Sequence, residues 1–201
     1  EKVHTLLDIE PRGLTKDIGP LKEFDINDTN MYVGRLTAIY KEYLKNNIVY
    51  LDGGMGTLLQ KEGLIPGEHP EMWNISHPDI ITKIHRDYFD AGSNIVNTNT
   101  FGANILKFSR NELENIISNA IENAQKARDT SVSTQEKFIS LDIGPLGKLL
   151  KPFGDFDFEE AVSVFAETVR IGVKYGVDLV TIETMNDSYE TKAALLAVKE
   201  N

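Results

Sequence analysis

Residues 138–184 read FISLDIGPLGKLLKPFGDFDFEEAVSVFAETVRIGVKYGVDLVTIET. An apolar run, Phe138 to Leu141, gives way to the turn residues Asp142-Ile143-Gly144-Pro145. Asp157, with Glu160 three residues later, then opens a stretch whose apolar positions Phe158, Val162, Phe165, Val169 and Val173 follow helical spacing and which closes at Gly176. A second short apolar run, Leu179 to Ile182, ends in Glu183-Thr184. A short buried strand, an amphipathic helix and another short buried strand make a parallel βαβ unit, whose crossover is right-handed.

The same design extends toward the N-terminus. Ile48 to Leu51 predicts a strand ending in Asp52-Gly53-Gly54. Ser76, with Pro78 in the first turn and Asp79 three residues on, predicts a helix carrying Ile81, Ile84, Tyr88 and Ala91, with Gly92 where a C-terminal cap belongs. Asn94 to Asn97 predicts a second strand, leading into Thr98-Asn99-Thr100-Phe101. Ser109 and Glu112 form a capping-box pattern ahead of Leu113, Ile116, Ile117, Ala120, Ile121 and Ala124. A last helix opens at Asp187 and Glu190. Strand starts near 48, 94, 138 and 179 are evenly spaced but share no sequence repeat, which argues against a solenoid. A doubly wound sheet and a (β/α)8 barrel both remain. Asp52, Thr98, Asp142 and Glu183 all sit just past strand ends, where either fold binds its ligand.

Residues 1–47 form an N-terminal extension: Pro11, Gly13, Gly19 and Pro20 mark an irregular arm, and Asp28 to about Asn46 reads as one helix. The acidic opening of the chain is no signal peptide, and no apolar run approaches the roughly 20 residues that span a bilayer, so a cytoplasmic protein is expected. A net charge of −10 repels phosphate backbones and excludes general nucleic-acid binding. With no cysteine, these residues offer no disulfide, thiolate zinc site or cysteine nucleophile. His77 and His85 lie eight residues apart, too far to share a metal, and both read as surface residues; Met72 and Trp73 read as packing.

LDGGMGT (51–57), NTNTFGAN (97–104), LDIGPLG (141–147) and IETMND (182–187), with WNISHPDIITKIHRDYFDAGSN (73–94) between the first two, resemble the homocysteine S-methyltransferase family in order and separation. The resemblance runs from about residue 48 to the end and is closest to the N-terminal module of cobalamin-dependent methionine synthase. It implies a (β/α)8 TIM-type barrel, of which residues 48–201 cover about the first four βα units where eight are needed. It also implies homocysteine as substrate and methionine as product. A zinc ion on three cysteine thiolates would activate the thiol, with those ligands beyond residue 201. Methylcobalamin would carry the methyl group on another module, recharged from a folate module. On this reading residues 1–201 alone are inactive, and the open strand edges invite self-association.

The resemblance also assigns residues. Asp52 and Glu183 correspond to the acids that contact the homocysteine ammonium; on spacing alone Asp52 organises a glycine turn and Glu183 pairs locally. Gly53, Gly54 and Gly56 offer backbone N–H groups for the carboxylate, although GGMG also reads as a plain βα turn. Thr98 corresponds to a hydroxyl near the amino group and Asn99 is its neighbour, yet both are common turn formers. Asp142 and Gly144-Pro145 shape the mouth, as a contact or as structure. Two other readings stay open: a non-catalytic half-barrel that binds an amino acid or serves assembly, and an enzyme using betaine or S-methylmethionine as donor.

Overall fold

Three strands pair in parallel and in chain order: β1 (Ile95–Asn97), β2 (Phe138–Ile143) and β3 (Leu179–Ile182). The register sets Asn97 opposite Ser140 and Asp142 opposite Thr181. This computed structural model describes Tyr43 and residues 45–201, so the expected N-terminal arm and nearly all of its helix lie outside the described residues. Asn46–Asn201 forms a unit of its own.

The strand expected over Ile48 to Leu51 is reduced to a single bridge, Leu51 to Ile95, parallel to β1. Its hydrogen bonds are nonetheless those of a fourth strand position: Asn94 N–H donates to the Tyr50 carbonyl at 2.8 Å and Asp52 N–H to the Ile95 carbonyl at 2.9 Å. Ile48, Tyr50 and Leu51 are exposed, and a segment burying so little has small reason to extend its pairing. The order Leu51, β1, β2, β3 never reverses among the described residues. A barrel wall has this order, whereas a doubly wound sheet reverses at a switch point.

Helices α1 (Met55–Lys61), α2 (Trp73–Ser76), α3 (Pro78–Asp90), α4 (Arg110–Thr130), α5 (Phe158–Tyr175) and α6 (Ser188–Glu200) fill the connections, with a 3-10 turn at Pro70–Met72. Helices α3 to α6 lie side by side in sequence order. The capping box of α4 forms as expected: Ser109 Oγ accepts the Glu112 N–H, and the Glu112 carboxylate accepts the Ser109 N–H at 3.0 Å. Asp157 caps α5 through the Glu159 N–H, not by way of Glu160, and Gly176 closes it at φ 87°. Helix α3 starts at Pro78 with His77 in the N-cap position, which makes no side-chain cap; the Ser76 hydroxyl, expected to cap it, turns to the His77 ring.

One face of the sheet carries the core. Leu141 and Ile143 point toward α5, where Leu141 Cδ2 lies 2.6 Å from the place a Cβ on Gly172 would occupy. Each Leu, Ile or Phe buried here contributes about 1.5–3 kcal/mol of transfer free energy. Side chains alternate along β2, so Ser140 and Asp142 turn to the opposite, polar face, where Ser140 Oγ and Thr181 Oγ1 lie 2.7 Å apart. Strand β2 runs to Ile143, two residues further than expected, and Asp142 is therefore a strand residue. His85 corrects the sequence reading: it is 0% exposed, in one stripe with the fully buried Ile81 and Phe89 four residues either side. Trp73 is buried against Ile81 and Ile84, while Met72 is exposed.

Candidate functional site

The polar face ends in a mouth at the C-terminal ends of the strands, and acids from three of them meet there electrostatically. Asp52 leaves the Leu51 bridge and is tied to the end of β1: its Oδ2 accepts the Asn97 N–H at 2.8 Å and its Oδ1 the Asn97 side-chain amide at 3.2 Å. Burial pushes its carboxyl up to about 7, against the lowering effect of the Asn97 N–H and with the Glu183 charge adding to the rise.

Glu183 follows β3 and is exposed, its N–H donating to the Ile143 carbonyl at 3.1 Å. The next residue, Thr184, has φ 58°, a left-handed conformation that a β-branched side chain rarely adopts. Strain of this kind costs on the order of 1–3 kcal/mol and persists only where the surroundings enforce it. It turns the chain sharply beside Glu183.

Asp142 is 7% exposed, and its Oδ1 accepts no hydrogen bond among the described residues. Burial first, then the charges of Glu183, Asp52 and Glu71, push its carboxyl up to about 8. Sequence reasoning left this residue between contact and structure. Glu71 and Asn97 escaped it altogether, because their places depend on partners far along the chain. Glu71 is buried and accepts the Gly102 N–H at 2.7 Å.

Gly53 and Gly54 are exposed beside Asp52. Gly54 is the N-cap of α1 at φ −65°, and none of Gly53, Gly54 and Gly56 has a positive φ. The glycine that close approach demands is Gly53: a Cβ there would stand 2.8 Å from the Tyr88 hydroxyl, which itself donates to the Gly54 carbonyl at 3.3 Å.

Thr98 and Asn99 are buried in internal hydrogen bonds. Thr98 Oγ1 lies 2.8 Å from Thr100 Oγ1 and accepts the Asp142 N–H at 3.3 Å, and Thr100 Oγ1 donates to the Asp142 carbonyl at 2.8 Å. Asn99 donates to the Pro70 carbonyl at 2.7 Å and receives the Asn74 amide on its own carbonyl at 2.8 Å. Asn123 in turn donates to the Asn74 carbonyl at 2.9 Å. The structure thus joins Asp52, Gly53 and Gly54 at an open rim, brings Glu183 into electrostatic reach, and sets Thr98 and Asn99 in the clamp behind them.

A mouth of this kind, acids at successive parallel strand ends with exposed glycines beside them, suits a small zwitterion. The sequence profile of the homocysteine S-methyltransferase family matches residues 49–201. The chain belongs to that family. Solved structures agree in fold: the homocysteine methyltransferase MmuM from Escherichia coli superposes with a TM-score of 0.69 in its metallated form, at 20% identity over 80% of this chain. Its oxidized form gives 0.67 at 21% identity over 78%, and its apo form 0.64 at 22% over 78%. This chain spans 62%, 60% and 57% of the length of those three.

Among the described residues no three His, Asp or Glu side chains converge as metal ligands, and the 201 residues contain no cysteine. Nothing in this chain therefore fits a thiolate-held zinc ion. No described helix is long and apolar enough to cross a membrane.

Proposed function

We propose that this chain is the homocysteine-binding part of a methyltransferase that makes methionine. The observation that carries the reading is the pairing, in a member of this family, of Asp52 and Glu183 across a mouth with exposed glycines at its rim. Asp52 and Glu183 receive the ammonium of homocysteine, and the Gly53 and Gly54 N–H groups receive its carboxylate. Thr98 and Asn99 hold the end of β1 so that these groups stay in place. Fixing both ends of the amino acid aims its sulfur, which is the entropic part of catalysis that a binding half can supply.

The wall formed by the Leu51 bridge, β1, β2 and β3 belongs, on this reading, to a (β/α)8 barrel. Zinc and cobalamin enter only as properties of a larger assembly. The zinc thiolates have to come from outside these 201 residues, and no step is drawn through either group. The donor we favour is methylcobalamin, delivered with a folate module in a cytoplasmic protein. Betaine or S-methylmethionine would serve the same acceptor site.

The test is calorimetric titration of the whole chain with L-homocysteine and with 4-sulfanylbutanoate, which lacks the amino group. Saturable binding of the first alone supports the reading, and equal binding or none refutes it. A second reading, an amino-acid-binding module without catalysis, is favoured by the absence of cysteine. Methyl transfer to homocysteine by a preparation that supplies the missing half would exclude it. Residues 1–201 alone should be inactive and should self-associate through the exposed Ile48, Tyr50 and Leu51 edge or along β3. A single monomer species in sedimentation would disprove the association.

A further inference from the structure

We infer that Asp142 is a third carboxyl of the mouth, a specificity residue that suits it to a primary ammonium. The inference rests on the homocysteine reading and adds a residue and a selectivity to it.

Three observations support it. The first is placement. Asp142 stands on the polar face of β2, the strand between β1, whose end holds Asp52 through Asn97, and β3, which ends at Glu183. Three consecutive strand positions therefore each contribute one acid.

The second is that the side chain is held with nothing to hold it. Its backbone N–H and carbonyl are both engaged, by Thr98 Oγ1 and Thr100 Oγ1, which fixes this stretch of β2 and with it the face on which the side chain stands. Yet Oδ1 is buried and accepts no hydrogen bond among the described residues. Buried polar atoms normally find partners, and an orphan at the mouth of a site is a place for a ligand atom.

The third is the contrast with Asp178, the half-buried aspartate just before β3. Asp178 accepts the Ile139 N–H at 2.8 Å and the Arg128 guanidinium at 3.3 Å. The charges facing Asp142 are Glu183, Asp52 and Glu71, and none is a cation. The fold pairs its structural acid and leaves this one unpaired.

A primary ammonium carries three N–H donors, and the unpartnered Asp142 carboxyl offers an acceptor for one of them. An N-acetylated amine carries neither the charge nor the donors. In the free protein the Asp142 carboxyl is held as the neutral acid by burial and by its acidic neighbours. The binding step is then an exchange: the acid loses its O–H proton to solvent and the carboxylate left behind pairs with the incoming ammonium. Asp52, raised to about 7, adds a smaller share of the same release near neutral pH.

The experiment is calorimetric titration of the whole chain with L-homocysteine and with N-acetyl-L-homocysteine from pH 6 to 8.5. Each run uses two buffers of different ionisation enthalpy, which counts protons. Wild type should release protons on binding homocysteine below pH 8 and should not bind the acetylated compound. Asp142→Asn, close to isosteric, should release fewer protons and bind homocysteine about tenfold more weakly at pH 8.5. Asp142→Ser gives the same readout should the amide disturb the fold, which circular dichroism will show. Unchanged affinity and proton count in both variants would overturn the inference and leave the homocysteine reading standing. Absence of homocysteine binding by wild type would remove that reading and this inference together.

Discussion

His85 gives the sharpest test of the packing. Its ring is 0% exposed, and neither nitrogen has a partner among the described residues. Burial alone lowers its pKa from 6.5 to about 4. The unfolded chain therefore binds a proton on this ring below about pH 6.5, while the folded chain refuses it until about pH 4. Stability attributable to His85 falls as pH drops through that window and is flat above it. The fall from 6.5 to about 4 corresponds to about 3 kcal/mol, or roughly 10 °C in melting temperature for a chain of this size. The variant is His85→Leu, which keeps the apolar stripe of Ile81 and Phe89 and removes the titrating group. Urea unfolding of both proteins at pH 4.5, 5.5, 6.5 and 7.5 gives the difference in stability, in which every other group cancels. The variant's advantage should grow toward acid. A difference that stays constant from pH 7.5 to 4.5 would mean that the ring meets water or a partner, and the burial argument would fail.

Three further outcomes are expected. Ser109→Ala removes one side of the capping box and should cost about 1 kcal/mol in urea unfolding. Gly172→Ala gains about 1 kcal/mol of helix propensity but places a methyl 2.6 Å from Leu141 Cδ2, in a core where overpacking costs about 1–3 kcal/mol; the net effect should be a lower melting temperature. For Asp52 the folded carboxyl, at about 7, lies above the ordinary 3.8, so its contribution is fully present below about pH 4 and is lost as pH rises to about 7. Asp52→Asn should therefore gain stability relative to wild type as pH is raised from 5 to 8 in thermal melts.

Local chemistry made most of the fold legible. Strand β3 spans Leu179–Ile182 as its composition predicts, and the Ser109 box, the Asp157 cap and the left-handed Gly176 each depend on neighbours a few residues away. What stayed hidden depends on distance. Helix α1 was missed because it is short, begins at a glycine and has no capping side chain. The Pro70–Ser76 segment is held by Asn74, Asn99 and Asn123, which meet across 25 to 49 residues of sequence. His85 carried a readable signal, since it sits midway between Ile81 and Phe89 at helical spacing, but Phe89 was left off the apolar line. Of the site, Asp52 and Glu183 were legible through family motifs alone. Asp142 was misplaced by two residues of strand length, which turned a strand residue with an alternation-fixed direction into a turn residue with none.

The two kinds of buried titratable group in this chain pull stability in opposite directions, and the difference separates structure from function. His85 is neutral above about pH 6.5, so the cost of leaving its two ring nitrogens unpaired does not change with pH there. Asp52 and Asp142 titrate near neutral pH, and each proton they lose there is lost at the expense of the folded state. A sheet selected only for stability would treat them as it treats Asp178, with an arginine and a backbone N–H in reach. The mouth instead gathers acids with no cation among the charges that act on them, next to a threonine held at φ 58°. Both features are destabilising in the free protein, and on the proposed reading a positively charged ligand relieves the first of them, the unpaired acids. A cationic ligand adds binding energy that is larger because the empty site is poor, and the linkage makes that energy visible as stability. On the proposed reading, the unpaired acids at this end of the sheet are kept for the ammonium of the ligand.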